Sequence, residues 1–218
     1  MATQTVDCLE AIAHLPAGGT LIVPDVSWDE YERLVAGLGD RPGVRVTYDQ
    51  GRLEIMSPSF EHDSITLLIS LLVFVLADAK ETVLEGAGST TYKQEWLKRG
   101  VEPDACFYVQ NAARIIGVRR INLKTDPPPD IVVEVDVTHD SSTKMKIYAG
   151  MGVPELWHHD GRRVQFYQLV ENEYVAIDAS PTFPILTGAV LTRFTEQGLA
   201  EGQTAALRSF REWLRAQV

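Results

Sequence analysis

The spacing of apolar positions changes repeatedly along this chain, and each change predicts a different element. Residues 7–14 and Trp28–Leu38 repeat with a helical period, with the apolar strand Thr20–Val23 between them. Ser27 and Glu30 form a capping-box pattern ahead of the second helix, the hydroxyl satisfying free amides of its first turn. Residues 44–48 and 52–56 are short strand-like runs joined by Asp49, Gln50 and Gly51, a hairpin by turn chemistry. Residues 59–79 predict one long helix, apolar around nearly its whole circumference, as burial on several sides requires. Its most apolar run, 65–77, spans 13 residues and contains Thr66 and Ser70. A bilayer needs about 20 residues, so this run predicts a buried core helix.

Strands are predicted at 82–84, at 89–93 and along 100–110, where Glu102, Pro103 and Asp104 lead into Ala-Cys-Phe-Tyr-Val. Residues 111–124 read as a short helix or loop, and the prolines at 127–129 as a stiff connector. The run Asp-Ile-Val-Val-Glu-Val-Asp-Val at 130–137 has the β-branched composition of a buried strand. A helix over 141–151 ends at Gly150 or Gly152, before Pro154. Then come the strand Glu155–His159, a hairpin from 163–169 and 174–178, and a final amphipathic helix over 204–216 with Thr204 as N-cap. This order predicts an α/β or α+β fold, and 218 residues fit one domain with added elements.

Charge narrows the function classes. Twenty Lys and Arg against 30 Asp and Glu leave a formal net charge of -10. Such a field repels polyanions, so a nucleic-acid role must rest on a local basic surface. Seven basic residues (Lys93, Lys98, Arg99, Arg114, Arg119, Arg120, Lys124) and three acidic ones lie between 93 and 124, a local balance of +4. Taken alone, that stretch reads as a solvated face. Cys8 and Cys106 form neither a disulfide framework nor a metal-ligand spacing, and no signal peptide is visible, so a cytoplasmic location is expected.

The candidate chemistry lies on two successive strands. Asp104 opens the first, and Glu134 sits among Ile131, Val132, Val133, Val135 and Val137 in the second. A carboxylate inside such a strand is costly to bury unless it is paired or metal-bound. Asp136 projects to the same face as Glu134 by strand alternation, and a divalent cation relieves the repulsion between such acids. The plainer alternative is that this face lies at a solvated edge. His158-His159-Asp160 reads as structural, because neighbours on a strand face opposite ways. Tyr148 and Trp157 read as core, Ser57 and the 141–143 cluster as turn or capping residues, and Glu54 and Glu61 as weak candidates.

Four stretches then acquire meaning as an ordered set: Gly-Arg-Leu-Glu-Ile-Met-Ser-Pro at 51–58 with His62 after it, Val-Glu-Pro-Asp-Ala-Cys-Phe-Tyr at 101–108, Pro-Pro-Asp-Ile-Val-Val-Glu-Val-Asp-Val-Thr at 128–138, and Lys-Met-Lys-Ile-Tyr-Ala-Gly-Met-Gly-Val-Pro-Glu-Leu-Trp at 144–157. In that order and spacing they resemble the Uma-type endonuclease family, catalogued as a domain of unknown function within the PD-(D/E)xK nuclease superfamily. The resemblance implies a restriction-endonuclease-like core at 45–170, a mixed β-sheet flanked by helices, with extensions at 1–43 and 171–218. It implies a Mg²⁺ site, with Mn²⁺ as substitute, held by Asp104, Glu134 and the backbone carbonyl of Val135. The lysine that Glu-x-Lys would place at 136 is Asp136 here, and the match falls on Lys144 of the following helix. Lys146 competes, but helical geometry separates the two by about 200°, so only one reaches the cleft. His62 matches a recurrent family His; taken alone it reads as a cap or a satisfied core residue. Asp136 is expected either as a third ligand or as a partner of Lys144, the plainer reading being a paired structural acid. The implied function is a metal-dependent endonuclease hydrolysing DNA phosphodiester bonds, with DNA as partner, no membrane, and a homodimer by analogy. The alternatives are a catalytically silent nucleic-acid- or protein-binding module, and a metal-dependent hydrolase of another substrate.

Overall fold

The computed structural model describes residues 9–39, 43–137 and 142–217. Its strands form two sheets. The smaller has the order β1-β3-β2-β6-β5, from Thr20–Val23 (β1), Arg45–Asp49 (β2), Arg52–Met56 (β3), Tyr92–Gln94 (β5) and Arg99–Val101 (β6). The larger has the order β11-β10-β9-β8-β7-β4, from Glu85–Gly86 (β4), Ala105–Tyr108 (β7), Ile131–Val135 (β8), Glu155–His159 (β9), Val164–Val170 (β10) and Glu173–Ile177 (β11). Only β8 and β9 run parallel among these pairs. Such a pair needs a crossover, supplied by the helix α4 over Ser142–Met151.

Local chemistry explains the elements. The helix α1, Trp28–Leu38, carries the expected capping box: Ser27 accepts from the Glu30 amide, and Glu30 accepts from the Ser27 amide. The β2–β3 hairpin turns through Gln50 and Gly51, both at positive φ, 48° and 106°, a conformation that favours glycine at the second position. The long helix α2, Phe60–Ala79, is capped by the Ser59 hydroxyl. By length and composition α2 could cross a bilayer, but half of its apolar window is buried. It packs Ile65, Leu68, Ile69, Leu72, Val73 and Leu76 against Ala105, Phe107, Ile131, Val133 and Val135. On the opposite face of the same strands, Cys106, Tyr108 and Val132 meet Ile147, Tyr148 and Met151 of α4, together with Tyr92 and Val101 of the smaller sheet.

Four expectations need correction. The strand foreseen along 100–110 is two strands, β6 and β7, in different sheets. Pro103 has no N–H to continue a ladder, and Glu102-Pro103-Asp104 carries the chain from one sheet to the other. The strands foreseen at 82–84 and 89–93 lie later, as β4 and β5. The helix over 204–216 begins at Gln203, with Gly202 at the cap and no side-chain cap bond, so Thr204 lies inside the first turn. A helix that the period did not reveal, α5 over Gly188–Glu201, precedes that one (α6, Gln203–Arg215). Gly188 and Gly198 depress its intrinsic propensity. Gly198 is there for packing: a Cβ would lie 2.1 Å from Leu68 Cδ2 of α2. The region 111–124 contains one short helix, α3, Ala112–Ile115. The first three residues of the helix expected over 7–14 are only partly covered, since 7 and 8 lie outside the described residues, while 9–13 are helical.

Candidate active site

Asp104 owes its place to the crossing between sheets. The preceding Glu102 pins that crossing, accepting from the Val46 amide at 2.9 Å and the Thr91 hydroxyl at 2.6 Å. Asp104 itself is buried, and its Oδ2 accepts from the backbone amide of Val135 at 2.8 Å, which joins the start of β7 to the end of β8. His62, buried in the first turn of α2, brings Nε2 to 3.1 Å from the same oxygen, and Arg45 of β2 brings Nε to 3.8 Å from Oδ1. Among the described residues, Asp104 Oδ1, Arg45 Nε and His62 Nε2 are buried without a hydrogen-bond partner. The close His62 approach is therefore a charge contact off the angle of a hydrogen bond. Burial opposes ionisation of Asp104, yet His62, Lys144 and the Val135 amide hold its carboxyl below the usual range. Burial likewise disfavours the His62 imidazolium, but Asp104 and Asp63 prevail and raise the ring above its ordinary value.

Glu134 is buried on the face of β8 that α4 covers. Lys144 Nζ lies 2.6 Å from its Oε2, and the Tyr148 hydroxyl donates to its Oε1. Residues 144 and 148 are one helical turn apart, so one face of α4 delivers both groups. Lys144 is buried and Lys146 exposed, so the helix turns Lys144 inward. Burial pushes the Glu134 carboxyl up to about 7; Lys144 opposes the rise, and the negative charge of Asp104 adds to it. For Lys144, burial works against the ammonium, but Glu134 and Asp104 outweigh it and hold the group protonated well above the ordinary lysine value.

Asp136 accepts from His158 Nε2 at 2.6 Å. His158 is the register neighbour of Glu134 across the parallel β8–β9 pair. Burial lowers its basicity, but Asp136, and secondarily Glu134, raise the ring above its ordinary value. The site thus contains Asp104, Glu134, Lys144, Asp136 and His62 from the sequence reading, and Arg45, Tyr148 and His158 besides. Tyr148, expected as core, is buried but also holds Glu134; its spacing of four from Lys144 was the available signal. His158, expected as structural, faces the acidic cluster, while the adjacent His159 turns to the other side and accepts from the Gly161 amide. Arg45 has no local sequence signal, because its place depends on the contact between sheets.

The weak candidates are spoken for. Glu54 pairs with Arg52 at 2.7 Å, and Glu61 is exposed on the first turn of α2. Within the basic stretch, Lys93 pairs with Glu32 and Arg99 with Asp49, each at 2.9 Å. Cys106 is buried as a free thiol.

Among the described residues no group of three His, Cys, Asp or Glu side chains is arranged to hold a metal. Two carboxylates do fit a hard cation that keeps most of its shell as water. Asp104 Oδ1 is the oriented, unsatisfied oxygen such an ion requires. Glu134 already accepts from Lys144 and Tyr148, but each carboxylate oxygen has a second lone pair.

Comparison with known proteins supplies a family and a fold. The crystal structure of a putative nuclease belonging to DUF820 from Anabaena variabilis matches with a TM-score of 0.54 and 18% identity. The match covers 78% of this chain and 99% of that one, and it shows the restriction-endonuclease-like fold. No curated protein matches. The model of the Uma2 family, described as "Putative restriction endonuclease", matches residues 28–197, a span that contains every residue of the site above. The chain belongs to the Uma2 family.

Proposed function

We propose that this protein is a Mg²⁺-dependent endonuclease that hydrolyses DNA phosphodiester bonds at Asp104 and Glu134. The observation that carries the reading is the buried Asp104 Oδ1, without a hydrogen-bond partner among the described residues, beside a Glu134–Lys144 pair in a chain of the Uma2 family. Asp104, Glu134 and the Val135 carbonyl would hold Mg²⁺, or Mn²⁺ in its place. When bound, that ion supplies Lewis acidity, lowering the pKa of a coordinated water and offsetting charge on the phosphoryl oxygens.

The remaining chemistry belongs to the chain. Lys144, with Nζ 2.6 Å from Glu134 Oε2, offsets negative charge there and keeps that carboxylate oriented. Tyr148 fixes the other Glu134 oxygen. His62 and the Val135 amide restrict Asp104 to one orientation, the kind of support by which a reacting group is held within a few tenths of an ångström. Asp136 and His158 border the cluster and orient one another.

A second reading, a silent nucleic-acid- or protein-binding module, draws support from Glu134 being engaged at both oxygens and from the net charge of -10. Incubating supercoiled DNA with Mg²⁺ or Mn²⁺ separates the two. The native protein is expected to nick or linearise the plasmid, and Asp104→Ala and Glu134→Ala to lose that activity while remaining folded by circular dichroism. An inert native protein on duplex, single-stranded and branched DNA would instead favour the module.

A further inference from the structure

Arg45 opens β2 at the meeting of the two sheets. The next residue, Val46, gives its amide to Glu102 at 2.9 Å, which fixes the strand beside the Asp104 crossing. The Arg45 side chain is only 16% exposed, and Nη1 makes one long bond, 3.4 Å, to the neighbouring Val44 carbonyl. An Arg–Asp pair built for stability closes to about 2.7–2.9 Å, commonly through two parallel bonds. Here Nε stands 3.8 Å from Asp104 Oδ1, and neither atom has a hydrogen-bond partner among the described residues. His62 Nε2, with its side chain 5% exposed, is a third such atom around the same carboxylate. Buried polar groups are normally satisfied; Asp104 Oδ1 calls for a cation, whereas the nitrogen donors left over beside it, Arg45 Nε above all, mark a place for oxygens that the protein does not itself supply.

The charge of that place indicates which oxygens. Asp104, Glu134 and Asp136 repel a phosphodiester, and Lys144 lies against Glu134. A guanidinium offers a fixed charge and a planar fork suited to phosphate oxygens. We infer that Arg45 is a substrate-contacting residue, its guanidinium binding a non-bridging oxygen of the phosphodiester that lies across Asp104 and Glu134. This rests on the nuclease reading of the same site.

The test is fluorescence anisotropy with a labelled DNA duplex in Ca²⁺ buffer across a salt series, using native protein, Arg45→Met and Arg45→Lys. Arg45→Met is expected to bind about tenfold or more weakly and to lower the salt slope by about one. Arg45→Lys keeps the slope but not the full affinity, because it keeps the charge without the fork. Melting temperatures should stay within a few degrees of native in both variants. Native affinity and slope in Arg45→Met would overturn the inference alone. So would weakened binding with an unchanged slope and a lowered melting temperature, the signature of a structural partner for Asp104. A native protein that binds neither duplex nor single strands at low salt would remove the nuclease reading, and Arg45 with it.

Discussion

The two faces of β8 have the same backbone and opposite chemistry. Ile131, Val133 and Val135 enter a continuous hydrocarbon layer with Leu72 and Val73 of α2 and Phe194 and Phe210 of α5 and α6. One residue over, Val132 continues an apolar layer against α4, but Glu134 interrupts it with a buried carboxylate that needs Lys144 and Tyr148 to be tolerated. Packing explains every side chain on the first face. On the second, stability alone gives no reason for Glu134, since a buried ion pair rarely outperforms well-packed hydrocarbon of the same volume. A costly arrangement that persists beside a robust one is where function is expected.

Substitutions can break this contrast in a graded way. Ile131→Ala empties part of the hydrocarbon face and should cost about 2–5 kcal/mol of stability. Urea denaturation reads that loss, and cleavage per folded molecule should stay close to native. An equal loss of both would mean that the faces are not separable. A smaller effect belongs to the rim of the charged face. Burial disfavours the His158 imidazolium, but Asp136 outweighs it and raises the pKa above the ordinary imidazole value of about 6.5. The pair therefore contributes fully below about pH 6.5 and loses its contribution as pH rises through the higher folded value. Asp136→Asn should lower the melting temperature more at about pH 5 than at about pH 8. The same difference at both pH values would assign Asp136 a role that does not involve the histidine's charge.

Much of the charged face was legible because strand and helix periods place its residues without knowledge of the tertiary fold. Alternation puts Glu134 and Asp136 on one side of β8, and the helical turn separates Lys144 from Lys146, as the burial of the first and exposure of the second show. The hairpin at Gln50-Gly51 and the Ser27 cap were legible for the same reason: their physics is local. What escaped depends on distant segments. Arg45 reaches Asp104 across 59 positions, and His158 reaches Asp136 only because β9 is the parallel neighbour of β8. The break at Pro103 was visible as a residue but not as a change of sheet. Helix α5 was hidden by glycines whose reasons are distant contacts, Gly198 with Leu68 of α2, 130 positions earlier, and Gly188 with the Val164 carbonyl of β10.

The most direct measurement compares Lys144→Met alone with Lys144→Met combined with Glu134→Leu, each assayed for urea stability and plasmid cleavage. Removing the lysine alone leaves a buried carboxylate without its cation and should cost about 3–5 kcal/mol. Replacing both with apolar groups of similar size should restore stability to native or above while cleavage stays abolished. A double variant that still cleaves DNA at the native rate would contradict the account. So would one as unstable as the single variant, because the pair would then be a structural support rather than a chemical site.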